Sequence, residues 1–263
     1  MKQDALPRDS EAPRHGPRES HPRAYLAPFS SPSVAIGLGV VTLILFFLFN
    51  RLPQLDVTVA GWFFTERPCP ESDPRAVCGG FLAMGHPTLA ALRELLHYLP
   101  VAIAVGLLVA AIPTALSADA GNRLFARGAM TAVGAILVSP LLIVNGILKE
   151  FSGRPRPVNT DLFGGEWPFV EAGRFTDHCA SNCSFVSGEA STGFWLLCLV
   201  PLLPVRFRPL AWAVTLTLAV TTSGLRIAFG GHYLSDVLLG AAITLTVFAA
   251  LAAFARWRRL YEV

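Results

Sequence analysis

Six stretches of this chain are apolar over close to the length of a bilayer crossing, and nothing else in the sequence restricts the fold as strongly. They cover residues 33–50, 98–116, 128–148, 185–204, 210–225 and 233–255. Inside hydrocarbon a segment must satisfy its own backbone N–H and C=O groups, so such runs fold as helices. The expected fold is therefore all-α: an integral membrane six-transmembrane-helix bundle, with short interfacial or outer-loop helices between the spans. Composition agrees. The chain is 53% hydrophobic and 15% charged, where a soluble domain carries about 25% charged residues. A net charge of +3 gives no reason to expect a nucleic-acid partner.

Three parts follow. Residues 1–32 hold six prolines, five basic and four acidic residues without an apolar period, and are expected to form a disordered tail. No apolar segment near their start resembles a cleaved signal, so the first apolar run doubles as the insertion signal. Residues 33–255 form the membrane domain, with connecting loops over 51–97, 149–184 and 226–232. Within the first loop, residues 52–64 read as a short amphipathic helix at the interface, with Trp62 as an aromatic anchor. Residues 256–263 are a C-terminal tail. Six spans put both termini on one side. That side carries 12 basic residues against nine on the other, most of the nine in long loops. The positive-inside rule therefore assigns the termini to the cytoplasm and the loops 51–97, 149–184 and 226–232 to the outside.

The cysteines bear on this independently. Cys69 and Cys78 share the first outer loop, Cys179 and Cys183 share the second, and Cys198 lies in a span. Two pairs in outer loops and one thiol in a span is the pattern of loops facing an oxidising compartment. Four free thiols remain the alternative, and the close 179–183 pair needs a tight turn. No His/Cys set has zinc-ligand spacing.

Three polar clusters at the outer ends of the spans carry the chemistry. Lys149 and Arg156 are two cations suited to a dianionic phosphate, with Pro155 and Pro157 stiffening the chain around the arginine. Ser187 and Gly188 open the fourth span, where helix N–H groups point at an anion and glycine permits close approach; a plain helix cap is the competing reading. Arg226 and His232 bracket a short loop, and Asp236 follows His232 by one helical turn. A carboxylate on one imidazole nitrogen leaves the other free to attack. An aspartate at the edge of a span is costly and points to function.

Taken together, Lys149-x6-Arg156-Pro157, Ser187-Gly188 and Arg226-x5-His232-x3-Asp236 on six spans resemble the type 2 phosphatidic acid phosphatase superfamily. The resemblance covers roughly residues 98–255, and the entry Leu52-Pro-Gln-Leu-Asp56 is similar to bacterial members. It implies His232 as nucleophile, forming a phosphohistidine that water hydrolyses, and Asp236 as its orienting group. It implies Lys149, Arg156, Ser187, Gly188 and Arg226 as the phosphate cradle, with no metal and no cofactor. It further implies a phosphorylated membrane lipid as substrate, the inner membrane of a bacterium as location and a periplasmic active site. No obligate protein partner is evident.

This sequence departs from the family pattern where the second motif has a histidine that protonates the leaving oxygen. Glu189 stands there instead. Burial would favour its acid form and neighbouring cations its carboxylate. Glu189, His178 and no dedicated acid all stay open as readings. Leu225 replaces a usual serine, a smaller change. The leading expectation is hydrolysis of a lipid phosphate. A lipid-to-lipid phosphotransferase and a catalytically impaired member that binds anionic lipid are the alternatives. Lipid A, phosphatidylglycerol phosphate, phosphatidic acid and undecaprenyl diphosphate are candidate substrates. Lipid A is favoured because the surroundings of the second motif resemble that subgroup. Trp167 and Phe169 are expected to roof the site and read a head group.

Overall fold

A computed structural model describes residues 26–72 and 75–260. Most of the expected tail lies outside the described residues. Its last part does not behave as a tail. Leu26 and Phe29 are buried, and the Phe29 ring packs against Trp212 and Phe248.

The helices are α1 (Pro32–Arg51), the short α2 (Gln54–Gly61), α3 (Pro87–Ala115) and α4 (Ala120–Ile136). From α4 the chain continues through a π-helical stretch, Leu137–Leu148, into the single turn α5 (Lys149–Phe151). Then follow α6 (Gly188–Trp195), α7 (Arg208–Ala228) and α8 (Leu234–Trp257). Half of the most apolar window of α8 is buried within the protein, against 6% for α1, so α8 is the central post and α1 faces outward. Ile36, Leu43, Ile44 and Phe47 on α1 are exposed, as side chains that face lipid must be. α1 lies along α8, α3 along α4, and α6 fits between α7 and α8.

Among the described residues, five helical segments are long and apolar enough to cross a membrane, making this a multi-pass membrane protein. The sixth expected span differs. Residues 185–204 give α6 and a 3₁₀ continuation, Leu196–Leu202, shorter than a full crossing. Its start is fixed by Ser187, whose hydroxyl accepts the N–H of Ala190 at 3.3 Å.

Two loop expectations also shift. The second span does not begin at residue 98. Its helix extends back to Pro87, a residue suited to a first turn. The polar residues 117–127 between the second and third apolar runs are largely helix, because Asp119 caps α4 by accepting the N–H of Asn122 at 2.8 Å. The bundle is also not purely helical. β1 (Phe64–Arg67) and β2 (Cys78–Phe81) pair antiparallel in the first loop. A Cys69–Cys78 disulfide ties the chain ahead of β2 to its first residue. Phe64 and Phe81 of this hairpin pack with Phe163, two of the three pairs edge to face, joining the first and second outer loops.

Candidate active site

His232 sits in the loop between α7 and α8 and is 1% exposed. Gly230 makes the turn possible with φ +63°, and Gly231 lies so close to Arg226 that a Cβ there would meet the guanidinium at 2.6 Å. The amides of Gly231 and His232 both donate to the carbonyl of Arg226, at 3.0 and 3.3 Å. The third motif is thus a compact knot that holds its arginine and histidine together. Nδ1 of His232 is 2.7 Å from the carbonyl oxygen of Ser184. A carbonyl can only accept, so Nδ1 carries the proton and Nε2 carries the lone pair. Burial pushes the imidazole down to about pKa 3, against the pull of Asp236 and with help from Arg226, so the ring is neutral at physiological pH.

Asp236 faces His232, as its i to i+4 spacing suggested, but the shortest contact of Nδ1 is with the Ser184 carbonyl. Its carboxylate is 3.6 Å from Nδ1 and is engaged elsewhere. Oδ1 takes the guanidinium of Arg154 at 2.6 Å, while Oδ2 accepts the Ser184 hydroxyl at 2.5 Å and the Tyr233 N–H at 2.9 Å. Asp236 therefore fixes Ser184, and the backbone of Ser184 fixes the imidazole.

Arg154 is the largest component that sequence reasoning missed. It is fully buried. Besides Asp236 it binds Asp56 of α2 at 2.8 Å, the Ser235 hydroxyl at 2.9 Å and the carbonyl of Val170 at 2.8 Å. Its face lies over the ring of Tyr233, 4.3 Å from the centroid. Asp56 in turn accepts the N–H and hydroxyl of Ser235 at 2.7 and 2.6 Å, closing the start of α8. Burial disfavours the charge on Arg154, but Asp236 and Asp56 outweigh it and raise its pKa. A sequence signal existed for Asp56: it is the one charged residue in the mostly apolar stretch 52–64.

The phosphate-binding candidates partly converge. Lys149, Arg156, Gly188, Glu189 and Arg226 line one cavity of about 620 Å³. Its far end is apolar, formed by residues such as Val101 and Leu108 of α3 and Leu137 and Leu141 of the π stretch. Ser187 does not line it: fully buried, its hydroxyl caps α6, so the plain-cap reading holds for that side chain. Arg156 is braced by the disulfide-bonded loop Cys179–Cys183, donating to the carbonyl and side-chain oxygens of Asn182 at 2.9 and 3.0 Å. The N–H of Cys183 meets the carbonyl of Lys149 at 3.0 Å. One small covalent loop thus positions both cations of the first motif. Replacing Cys179 and Cys183 by serine is expected to raise KM about 3–10-fold, the worth of one or two hydrogen bonds, with kcat changed less. Steady-state kinetics of the double variant measures this.

Glu189 is an acceptor in this site. Its Oε1 lies 2.7 Å from Arg93, 3.3 Å from Arg226 and 3.9 Å from Nδ1 of His97. Arg93 and His97 lie just ahead of the apolar run 98–116, in what reads as loop. The backward extension of α3 instead sets them one turn apart on a single face, both lining the cavity. His178, the other candidate acid, is elsewhere: it stacks on Trp167 at 5.5 Å and lies 3.8 Å from Asp177. Nor does the aromatic roof form. Phe169 packs on Tyr233 behind Arg154, and neither it nor Trp167 lines the cavity.

A helical bundle in the membrane, with three clusters of cations, serines and a buried imidazole at one end, defines the class. The chain matches the PAP2 superfamily over residues 128–260 and belongs to it. It is 40% identical over 208 residues to a lipid A 4'-phosphatase of Rhizobium etli, covering 78% of this chain and 81% of that one. A lipid A 4'-phosphatase of Rhizobium leguminosarum is 38% identical, with 78% and 89% covered. One from Francisella tularensis subsp. novicida is 30% identical, with 78% and 87% covered. A transmembrane PAP2 type phosphatidylglycerolphosphate phosphatase from Bacillus subtilis shares the fold, with TM-score 0.54, 18% identity, and 85% and 96% of the two chains covered.

Proposed function

We propose that this chain removes the 4'-phosphate of a lipid A-type glycolipid by way of a phosphohistidine on His232. That it is a phosphoric ester hydrolase follows from its family and its relatives. The observation that carries the finer reading is the cavity itself. One end gathers Lys149, Arg156 and Arg226, and the other is apolar. A dianionic phosphate on a greasy body suits both ends at once.

In the proposed reaction Nε2 of His232 attacks phosphorus while Ser184 holds the Nδ1 proton. The three cations offset charge on the phosphoryl oxygens, and the first N–H groups of α6 add dipolar donors. The sugar oxygen departs, and water then cleaves the phosphohistidine. The site is placed on the periplasmic face of a bacterial inner membrane, with both termini cytoplasmic and α6 as a short sixth crossing. The basic residues and the two disulfides in the outer loops support that orientation.

The test is phosphate release by detergent-solubilised full-length protein from lipid A, phosphatidylglycerol phosphate, phosphatidic acid and undecaprenyl diphosphate. kcat/KM on lipid A is expected to exceed the others by at least about tenfold, some 1.4 kcal/mol of transition-state preference, with the 4' position dephosphorylated. Equal rates across the panel would remove the lipid A assignment and leave a general lipid phosphatase.

A further inference from the structure

Phosphate departing from a sugar leaves an alkoxide, a poor leaving group unless a proton reaches the bridging oxygen as the P–O bond breaks. The donor has to touch the cavity and to be able to give up a proton. Lys149, Arg156 and Arg226 are needed as cations. Glu189 already accepts from Arg93 and faces Arg226. Among the described residues, one histidine lines this cavity: His97 of α3.

Its setting is particular. Nδ1 is buried without a protein hydrogen-bond partner and lies 3.9 Å from Oε1 of Glu189. The side chain as a whole is 43% exposed, so the ring is buried at one nitrogen and open to the cavity. The edge of Tyr98 packs on it, with ring centroids 4.8 Å apart. Oε2 of Glu189 and Nε of Arg93 and Arg226 are likewise buried without protein partners. Four unpaired polar atoms around one wall of a cavity mark a place that a polar ligand completes. Catalytic hydrogen bonds are often long before substrate binds, and about 1 Å of approach would close the His97–Glu189 contact.

The geometry points to His97 as the general acid of this phosphatase, with Glu189 as the carboxylate that positions it. This rests on the hydrolase reading above and deepens it. The cycle balances. As the His232 Nε2–P bond forms and the P–O(sugar) bond breaks, the proton of the His97 imidazolium passes to the sugar oxygen. Water then attacks the phosphohistidine and gives its proton to a phosphoryl oxygen, phosphate leaves with His232 restored, and His97 regains its proton from solvent. The helix that carries the acid is α3, not α6.

The experiment compares two esters with full-length protein: a lipid A-type sugar phosphate and an aryl phosphate bearing an acyl chain, whose phenolate leaves without needing a proton. His97→Gln is expected to lose about 10²–10³-fold in kcat on the sugar ester and no more than about fivefold on the aryl ester, the latter activity showing that the variant is folded. Glu189→Gln should lose less than His97→Gln on the sugar ester. Equal losses by His97→Gln on the two esters, or a loss below about threefold on the sugar ester, would overturn the assignment. So would a greater loss in Glu189→Gln, which would make Glu189 the donor. Failure of the hydrolase reading looks different: wild-type protein would then release phosphate from neither ester.

Discussion

His232→Ala is expected to lower phosphate release by about 10⁵–10⁶-fold, the scale on which removing a covalent nucleophile acts when binding and charge stabilisation survive. The imidazole is fully enclosed, neutral, and held by one backbone carbonyl. Its loss leaves Lys149, Arg156 and Arg226 in place, so substrate binding should change far less than turnover. Rapid acid-free quenching of wild-type protein with radiolabelled substrate should trap a phosphoenzyme that is stable in base and labile in acid, as a phosphoramidate is. The variant should trap none. A His232→Ala rate within about a hundredfold of wild type would place the nucleophile elsewhere.

The second large effect is on folding. Arg154→Ala is expected to destabilise the protein by about 3–5 kcal/mol, because it strands two buried carboxylates without a counter-charge. Asp56 and Asp236 are both fully buried and both bonded to this one guanidinium. Activity should disappear with it, since Asp236 secures Ser184 and Ser184 secures His232. Arg154→Lys should recover little: an ammonium cannot reach Asp56, Asp236, Ser235 and the Val170 carbonyl from one planar fork. Unfolding in detergent, followed by loss of helical signal against denaturant, measures the difference. A shift under about 1 kcal/mol would show that the carboxylates find other partners.

These residues also mark how far the sequence could be read. The long spans were legible because lipid leaves a helix few alternatives. Lys149, Arg156, Arg226 and His232 were legible because each stands at the polar end of an apolar run. Arg154 was not. It looks like one more solvated arginine in a proline-bound loop, and only tertiary structure brings it to Asp56 and Asp236, 98 and 82 residues away. Arg93 and His97 were overlooked because apolar content stopped at residue 98 while the helix did not. Ser187 was over-read: helix starts and anion sites use the same residue types, and the choice depends on where the hydroxyl points. The Asp236–His232 contact is longer than the spacing suggests for a related reason. Spacing along a helix puts two groups on one face, but it does not tell which competitor fills the carboxylate first.

The pairing of α1 with α8, and of Asp56 with the start of α8, bears on how the protein is made. The first helix to enter the bilayer waits for the last to find its neighbour. Until α8 arrives, Arg154 and Asp56 lack their third partner and Ser184 has no carboxylate to bind. A chain without α8 therefore carries Lys149, Arg156, Arg226 and His232 but lacks Asp236, the carboxylate through which Ser184 and then the imidazole are fixed.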